Sequence, residues 1–519
     1  MKVRTMMITI IMIGLKINFL SALTENIANS TRFFELSMMK PQIKNEVYLF
    51  NLQEEPNEDA LIEKYEFPEG SFSFVLYGLE SFKEALSHFL TDRERQKSFL
   101  EYSVVDNSIS GRLQISLIAG VDYHTDFKEQ YLHLYRGVQV RGNIYNRLVL
   151  WGNWWAGRFQ GDLDYAEANS PLIKGFYKSH HLHPPYTHLN KISGNITYLF
   201  NFGKVAIGRG THLVGDNISG SIVLNDAVND YGYFSTEIYF GKLSLSFLHA
   251  TLIPDGLSDF GDFDYQDKYL VMHHLNYQPR PQLDFYFGEQ IIYANRSIDP
   301  SYLLPHTFYR ITEHNLQDRD NVLIYAGMQW TIRNLLTLYG SISLDELRKS
   351  EIFGDWWGNK YAIQGGISWL YGEGLIVKDN EPIRTTVEFT AIRPWMYTHQ
   401  TALTTFSHDG FGLGFPEGSN LLQVAGEVSL PLIASLKLNQ FLSYTKQGSV
   451  GNDFSINYND RPSDTAKWLE GDKSERWLNR SVLSWNMLTH HKFRIGLELL
   501  KVDQNDWQQN LIFGYQAMY

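Results

Sequence analysis

Cysteine is absent from the 519 residues. That excludes a disulfide framework and any thiolate metal site. Positive charge is scarce: 45 Lys and Arg stand against 57 Asp and Glu, a formal net charge of −12. The basic footprint of a nucleic-acid binder is therefore missing. No stretch reaches the roughly 20 consecutive apolar residues of a membrane-spanning helix. There is no Gly-Lys-Ser/Thr phosphate loop, no Gly-x-Ser-x-Gly elbow and no His-Glu-x-x-His, so the sequence carries no enzyme signature.

Aromatic residues are abundant, with 31 Tyr, 32 Phe and 12 Trp beside 40 Gly. A mean hydropathy of −0.27 is compatible with a membrane barrel, because half of each strand faces a polar lumen and the signal averages out. Lys2 and Arg4 precede an apolar run from Met6 to Leu15, with small residues at Ser21, Ala22 and Ala28. Residues 1–28 read as a secretory signal. In residues 29–108 the stretch Glu80 to Tyr102 spaces Phe82, Leu86, Phe89 and Leu90 at helical intervals. This predicts a small N-terminal helical segment, periplasmic or plugging.

From Ile109 the period becomes two. Leu113, Ile115, Leu117, Ala119 and Val121 alternate with Arg112, Gln114, Ser116, Gly120 and Asp122, with Ile118 the exception. Asn321 to Arg333, Leu335 to Leu347, Lys360 to Tyr371, Leu422 to Leu430 and Lys492 to Leu500 behave likewise. The runs are about ten residues long, enough for a tilted strand to cross a bilayer. Aromatics recur near their ends, as an interfacial girdle requires. The more polar set carries Arg112, Asp122, Arg384, Glu388, Glu427, Arg494 and Glu498. A dry core does not accept so many charges; a hydrated lumen does. The expected fold is all-β, a large antiparallel transmembrane β-barrel of about 18 strands over residues 109–519. The last residues alternate Leu511, Phe513, Tyr515, Ala517 and Tyr519 with a second set. They are the expected closing strand and resemble the C-terminal signal read by the barrel-assembly machinery.

Two loops have metal-like composition. KSHHLHPPYTH holds His180, His181, His183 and His188, but no carboxylate; Asp259, Asp262, Asp264 and Asp267 lack EF-hand spacing. Both read as solvated loops, with no metal or cofactor expected. Adjacent residues on a strand face opposite sides, so Trp154-Trp155 and Trp356-Trp357 are each expected to place one indole outward and one inward. They serve in a girdle and lumen, or as platforms on which sugar rings stack.

Two segments resemble the Wzi-type capsule-assembly family of bacterial outer-membrane proteins. One contains Gly208-Arg209, a Gly-rich turn, then Ser221-Ile222-Val223-Leu224-Asn225-Asp226; Leu213-Val214-Gly215-Asp216 stands where a Trp-Gly-Pro-Gly-like turn is common in the family. The other contains Glu388, Arg393-Pro394, Tyr397, His399, His408, Gly410, Leu413-Gly414 and Gly418. A weaker echo covers Asp345 and Asn359-Lys360. The resemblance implies an 18-stranded outer-membrane barrel with a helical periplasmic plug that holds or organises capsular or exopolysaccharide, without turnover. On that basis, with the Trp pairs, the glycan-binding candidates are Arg209, Asp345, Trp356, Trp357, Glu388, Arg393, Trp395, Tyr397, His399 and His408. The other expected partners are outer-membrane lipids and the assembly machinery. The alternative is a porin-like diffusion channel, which the strand count and mixed-sign lumen also allow.

Overall fold

The computed structural model describes residues 72–74, 100–106, 109–145, 147–170, 186–254, 266–351, 354–372, 382–433, 435–488 and 491–518. Eighteen antiparallel strands form a closed barrel. They are β1 (Ile109–Thr125), β2 (Gln130–Ile144), β3 (Leu148–Gly161), β4 (Tyr186–Phe200), β5 (Gly203–Gly210) and β6 (Tyr231–Phe240). Next come β7 (Leu243–Leu252), β8 (Lys268–Arg280), β9 (Leu283–Ala294), β10 (Asn321–Ile332), β11 (Leu336–Glu346) and β12 (Lys360–Tyr371). The last six are β13 (Ile383–Ile392), β14 (Leu421–Ile433), β15 (Leu436–Gly448), β16 (Lys473–Leu488), β17 (His491–Val502) and β18 (Gln508–Met518).

Strand β18 closes the barrel on β1, from Leu511 opposite Thr125 to Met518 opposite Ile118. Closure leaves no unpaired edge in the hydrocarbon, where each orphaned backbone group costs several kcal/mol. Below Met518 the strand Leu100–Asp106 continues the same seam, with Leu100 opposite Ile115. The proposed helix over Glu80–Tyr102 and the signal segment otherwise lie outside the described residues. So do Tyr519, His180, His181 and His183, and Asp259, Asp262 and Asp264.

Alternation sorts the wall as expected. Phe513 on β18, Val424 on β14 and Ile363 and Ile367 on β12 face outward and are exposed, whereas Asn510, Gln423 and Gln364 point inward and are buried. Inward charges pair across strands: Arg494 with Asp122 at 2.7 Å, Arg480 with Glu498 at 2.8 Å. Pairing is what makes the burial of such charges tolerable.

Connections are two or three residues at one end of most hairpins, as in 201–202 and 333–335, and far longer at the other. Short turns face the periplasm and long loops the outside. Several loops do not stand free in solvent. The β11–β12 and β15–β16 loops meet at the outer rim. The β3–β4 loop carries α1 (Leu163–Asn169) inward, where Tyr165 donates to Asn510 Oδ1 at 3.0 Å. The β9–β10 loop, with α2 (Tyr309–Asn315), folds down the outside. There Tyr302 and Tyr309 bury Phe247, Val271, Ile291, Tyr293 and Val322. These are outward-facing wall residues, so that side of the barrel is covered above the membrane by its own chain. Glu313, His314 and Asp318 cluster on this loop, but Arg310 bonds Glu313 at 2.6 Å and Asp318 at 3.4 Å. A guanidinium already bridges the two carboxylates.

Candidate functional site

The β5–β6 loop, residues 211–230, crosses the lumen to the opposite wall. Its turns depend on Gly215 and Gly220, whose φ values of 92° and 105° are open only to glycine without strain. Glu388 on β13 anchors it. The carboxylate accepts from Ile218 N and Ser219 N at 3.1 Å each, from Tyr339 Oη at 2.7 Å and from Gln364 Nε2 at 3.2 Å. Gln364 also donates to Gly220 O at 2.8 Å and accepts from Ile222 N at 3.3 Å. Gln290 on β9 donates to Val223 O at 2.7 Å.

The segment Ser221–Asp226, which the resemblance treats as a strand, is irregular. Several of its backbone groups are taken by wall side chains and by the Ser221 hydroxyl, which accepts from Val223 N at 3.0 Å. That leaves no ladder to join.

A second loop, residues 393–420 between β13 and β14, lies over the first. Tyr397 donates to Ile222 O at 2.8 Å, and Asn225 N donates to Leu413 O at 2.8 Å. Ile222, Val223 and Leu224 are buried with Phe406, Phe411, Leu413 and Phe415 and the inner wall residues Leu270, Ile292 and Leu323. The lumen is therefore not hydrated throughout. This part is a dry apolar core, because two loops supply the side chains that a free lumen lacks.

Most predicted site residues serve this assembly. Glu388 is 1% exposed and Arg393 3%. Arg393 donates to Asn359 O at 3.2 Å and Ala466 O at 2.7 Å, and desolvation lowers its affinity for a proton. Asp345 accepts from Lys360 Nζ at 3.0 Å and Tyr397 N at 3.1 Å. Tyr397 sits at φ 74°, and Trp395, packed on Gly451, at φ 67°. His408 Nδ1 accepts from Ile253 N at 2.9 Å, and His399 Nδ1 meets Thr404 Oγ1 at 2.5 Å. Burial pushes each imidazole down to about 3, helped by Lys268 and Arg209 near His408 and by Lys360 and Arg310 near His399. Arg209 is exposed at the end of β5, near His408.

Trp356 differs from the set in being half-exposed, whereas Trp357 is buried with Trp395 and Ala466. Trp356 and Trp357 lie in the β11–β12 loop, not on a strand, so the opposite-face expectation does not hold. Their rings are 5.9 Å apart at the outer rim. Trp356 pairs with Thr465 and Trp357 N bonds Asp464 O at 3.1 Å, tying this loop to the β15–β16 loop. Arg348 lies 4.1 Å over Trp356, and Arg461 4.0 Å over Trp357. Tyr458 stands 5.0 Å from Trp357, and Trp468 nearby is 37% exposed. Tyr458, Arg461 and Trp468 were missed by the sequence reading. Their signal was aromatics inside the otherwise polar stretch Gln447 to Glu475.

No protein-family model matches the chain, and no curated protein does. Among solved structures the chain is similar in fold to Wzi of Escherichia coli, described as an outer-membrane protein involved in group 1 capsule assembly and a carbohydrate-binding β-barrel. The identity is 12%, the match covers 78% of this chain and 84% of that one, and the TM-score is 0.52. OccK7 of Pseudomonas aeruginosa matches at 8% identity over 79% and 98%, with a TM-score of 0.44. OccAB4 of Acinetobacter baumannii matches at 10% over 79% and 98%, with a TM-score of 0.45. The chain is a bacterial outer-membrane β-barrel of eighteen strands.

Proposed function

We propose that this barrel binds surface polysaccharide, capsular or exopolysaccharide, and helps attach or assemble it at the cell surface, without turnover. The observation that carries this reading is the rim platform of half-exposed Trp356 and exposed Trp468, with Trp357 buried as its support and Arg348 and Arg461 beside it. Indole faces stack on the C–H faces of sugar rings. Guanidinium groups bond hydroxyls and carboxylates. A repeating glycan multiplies such weak contacts by avidity. The described likeness of fold to a carbohydrate-binding barrel supports the same reading, and two loops packed across the lumen fit a binder better than a diffusion channel. Delivery by the barrel-assembly machinery belongs to the same proposal.

The double variant W356A/W468A is expected to bind purified capsular polysaccharide roughly thirtyfold more weakly, the usual effect of losing aromatic hot spots, with the barrel still folded. Gene deletion should also leave cells with a poorly attached coat on polysaccharide staining. A normal coat, together with a steady large conductance in planar bilayers, would instead establish the porin-like channel.

A further inference from the structure

Arg136 on β2 and Arg158 on β3 raise a separate question. Both are exposed. By register Arg136 lies opposite Ala156 and Leu134 opposite Arg158, so the two arginines are diagonal neighbours on adjacent strands, with Cα atoms roughly 7–8 Å apart. Their face is the outer one. It carries Val138 and Val140 on β2, Trp154 on β3 at 49% exposure and Ile192 on β4, opposite Trp154, at 61%. Two guanidinium groups therefore stand on the lipid-facing wall, two and four residues above the level of Trp154 and Ile192, with Leu134 and Leu132 on β2 beside and beyond them. That is about 7–13 Å along a strand.

Arginine at the bilayer midplane costs about 2–4 kcal/mol and close to nothing at the interface. The wall thus changes from hydrocarbon to headgroup contact at this height. Like charges this close repel unless an anion lies between them. Among the described residues the wall supplies none: the outward-facing positions of β2 to β6 include no carboxylate, and neither arginine makes an ion pair or hydrogen bond there. Asn190, exposed and opposite Ala156 on β4, adds a neutral donor.

We infer that Arg136 and Arg158, with Asn190, form a binding site for the phosphate of an outer-leaflet lipid. The guanidinium forks match phosphate oxygens bidentately, and the lipid's chains lie against Trp154 and Ile192. Lipid is favoured over a soluble acidic glycan because the arginines share one continuous face with the apolar band. The inference is independent of the glycan reading.

The test uses the full chain purified in neutral maltoside, titrated with diphosphoryl lipid A and with the same lipid stripped of phosphate, and read by native mass spectrometry. The unaltered protein should prefer the phosphorylated lipid by tenfold or more. R136Q/R158Q should weaken that binding on the order of thirtyfold, about one kcal/mol per basic residue near a charged surface. R136K/R158K should retain most of it. R280Q/R333Q, with the same charge change at the periplasmic end, should behave as the unaltered protein. Heat-modifiable gel mobility checks that each variant is folded. Equal binding by R136Q/R158Q, an equal loss in the periplasmic control, no preference for phosphate, or a loss confined to soluble acidic polysaccharide overturns the inference.

Discussion

Glu388→Ala should release the lumen-crossing loop while leaving the barrel wall intact. The wall is held by main-chain ladders to β12 and β14, which do not need the side chain. The loop does need it. Removing the carboxylate leaves Ile218 N, Ser219 N and the Tyr339 hydroxyl facing a small cavity without an acceptor, while Gln364 Nε2 keeps Gly220 O and Thr390 Oγ1. Each unsatisfied buried donor costs about 1–3 kcal/mol, and water entering the cavity recovers part of it. A net loss of about 3–5 kcal/mol in loop docking raises amide exchange at residues 218–224 by on the order of a hundredfold to several thousandfold. Glu388→Gln keeps one acceptor oxygen and the shape, and should fall between. Hydrogen exchange followed by mass spectrometry measures this directly. Unchanged protection at 218–224 in Glu388→Ala would mean that the apolar contacts of Ile222 to Leu224 hold the loop by themselves.

Acid should loosen the second loop. His399 and His408 are both held neutral by burial, each pushed down to about 3 from an ordinary value near 6.5. An undocked loop takes up protons as pH falls below 6.5, whereas the docked loop resists until about 3. Docking is therefore fully stable above 6.5, weakens steadily through that window and is lost as pH nears the folded value. Each unit in the window is worth up to about 1.4 kcal/mol per imidazole, so at pH 4.5 the pair amounts to several kcal/mol. Exchange across residues 393–420 should accelerate strongly between pH 7 and 4.5, while the strand amides stay protected. H399N/H408Q keeps a hydrogen-bond acceptor at each site and cannot titrate there. Its loop should show little pH response in that range; an undiminished acid response would trace the effect to other groups.

Arg209 shows what motif order leaves open. It stands beside Gly208 in the segment that resembles the capsule-assembly family, and it is exposed at the end of β5, where its charge helps keep His408 neutral. Glu388 and Tyr397 stand in the same ordered pattern and are brought together, but as a buried anchor and a clamp. A pattern of residue types records that a segment is constrained. It does not record whether the constraint is a ligand or the fold.

The wall was determined by sequence alone. An alternation of period two is a local property: each residue's side is fixed by the pleat. Phe513, Val424 and Ile367 could therefore be set outward, and Asp122, Arg494 and Glu498 inward, before any pairing was known. Strand length against bilayer thickness then selected a barrel over a soluble sheet. The destinations of the long loops were decided only by tertiary structure. Nothing local tells Ser219 that its amide meets a carboxylate 169 residues away, or tells Tyr302 to fold down the outside while Ile222 folds within. Those choices follow from which distant wall residues, Glu388 and Gln364 inside, Phe247 and Val271 outside, offer unsatisfied acceptors or uncovered apolar area once the barrel has closed.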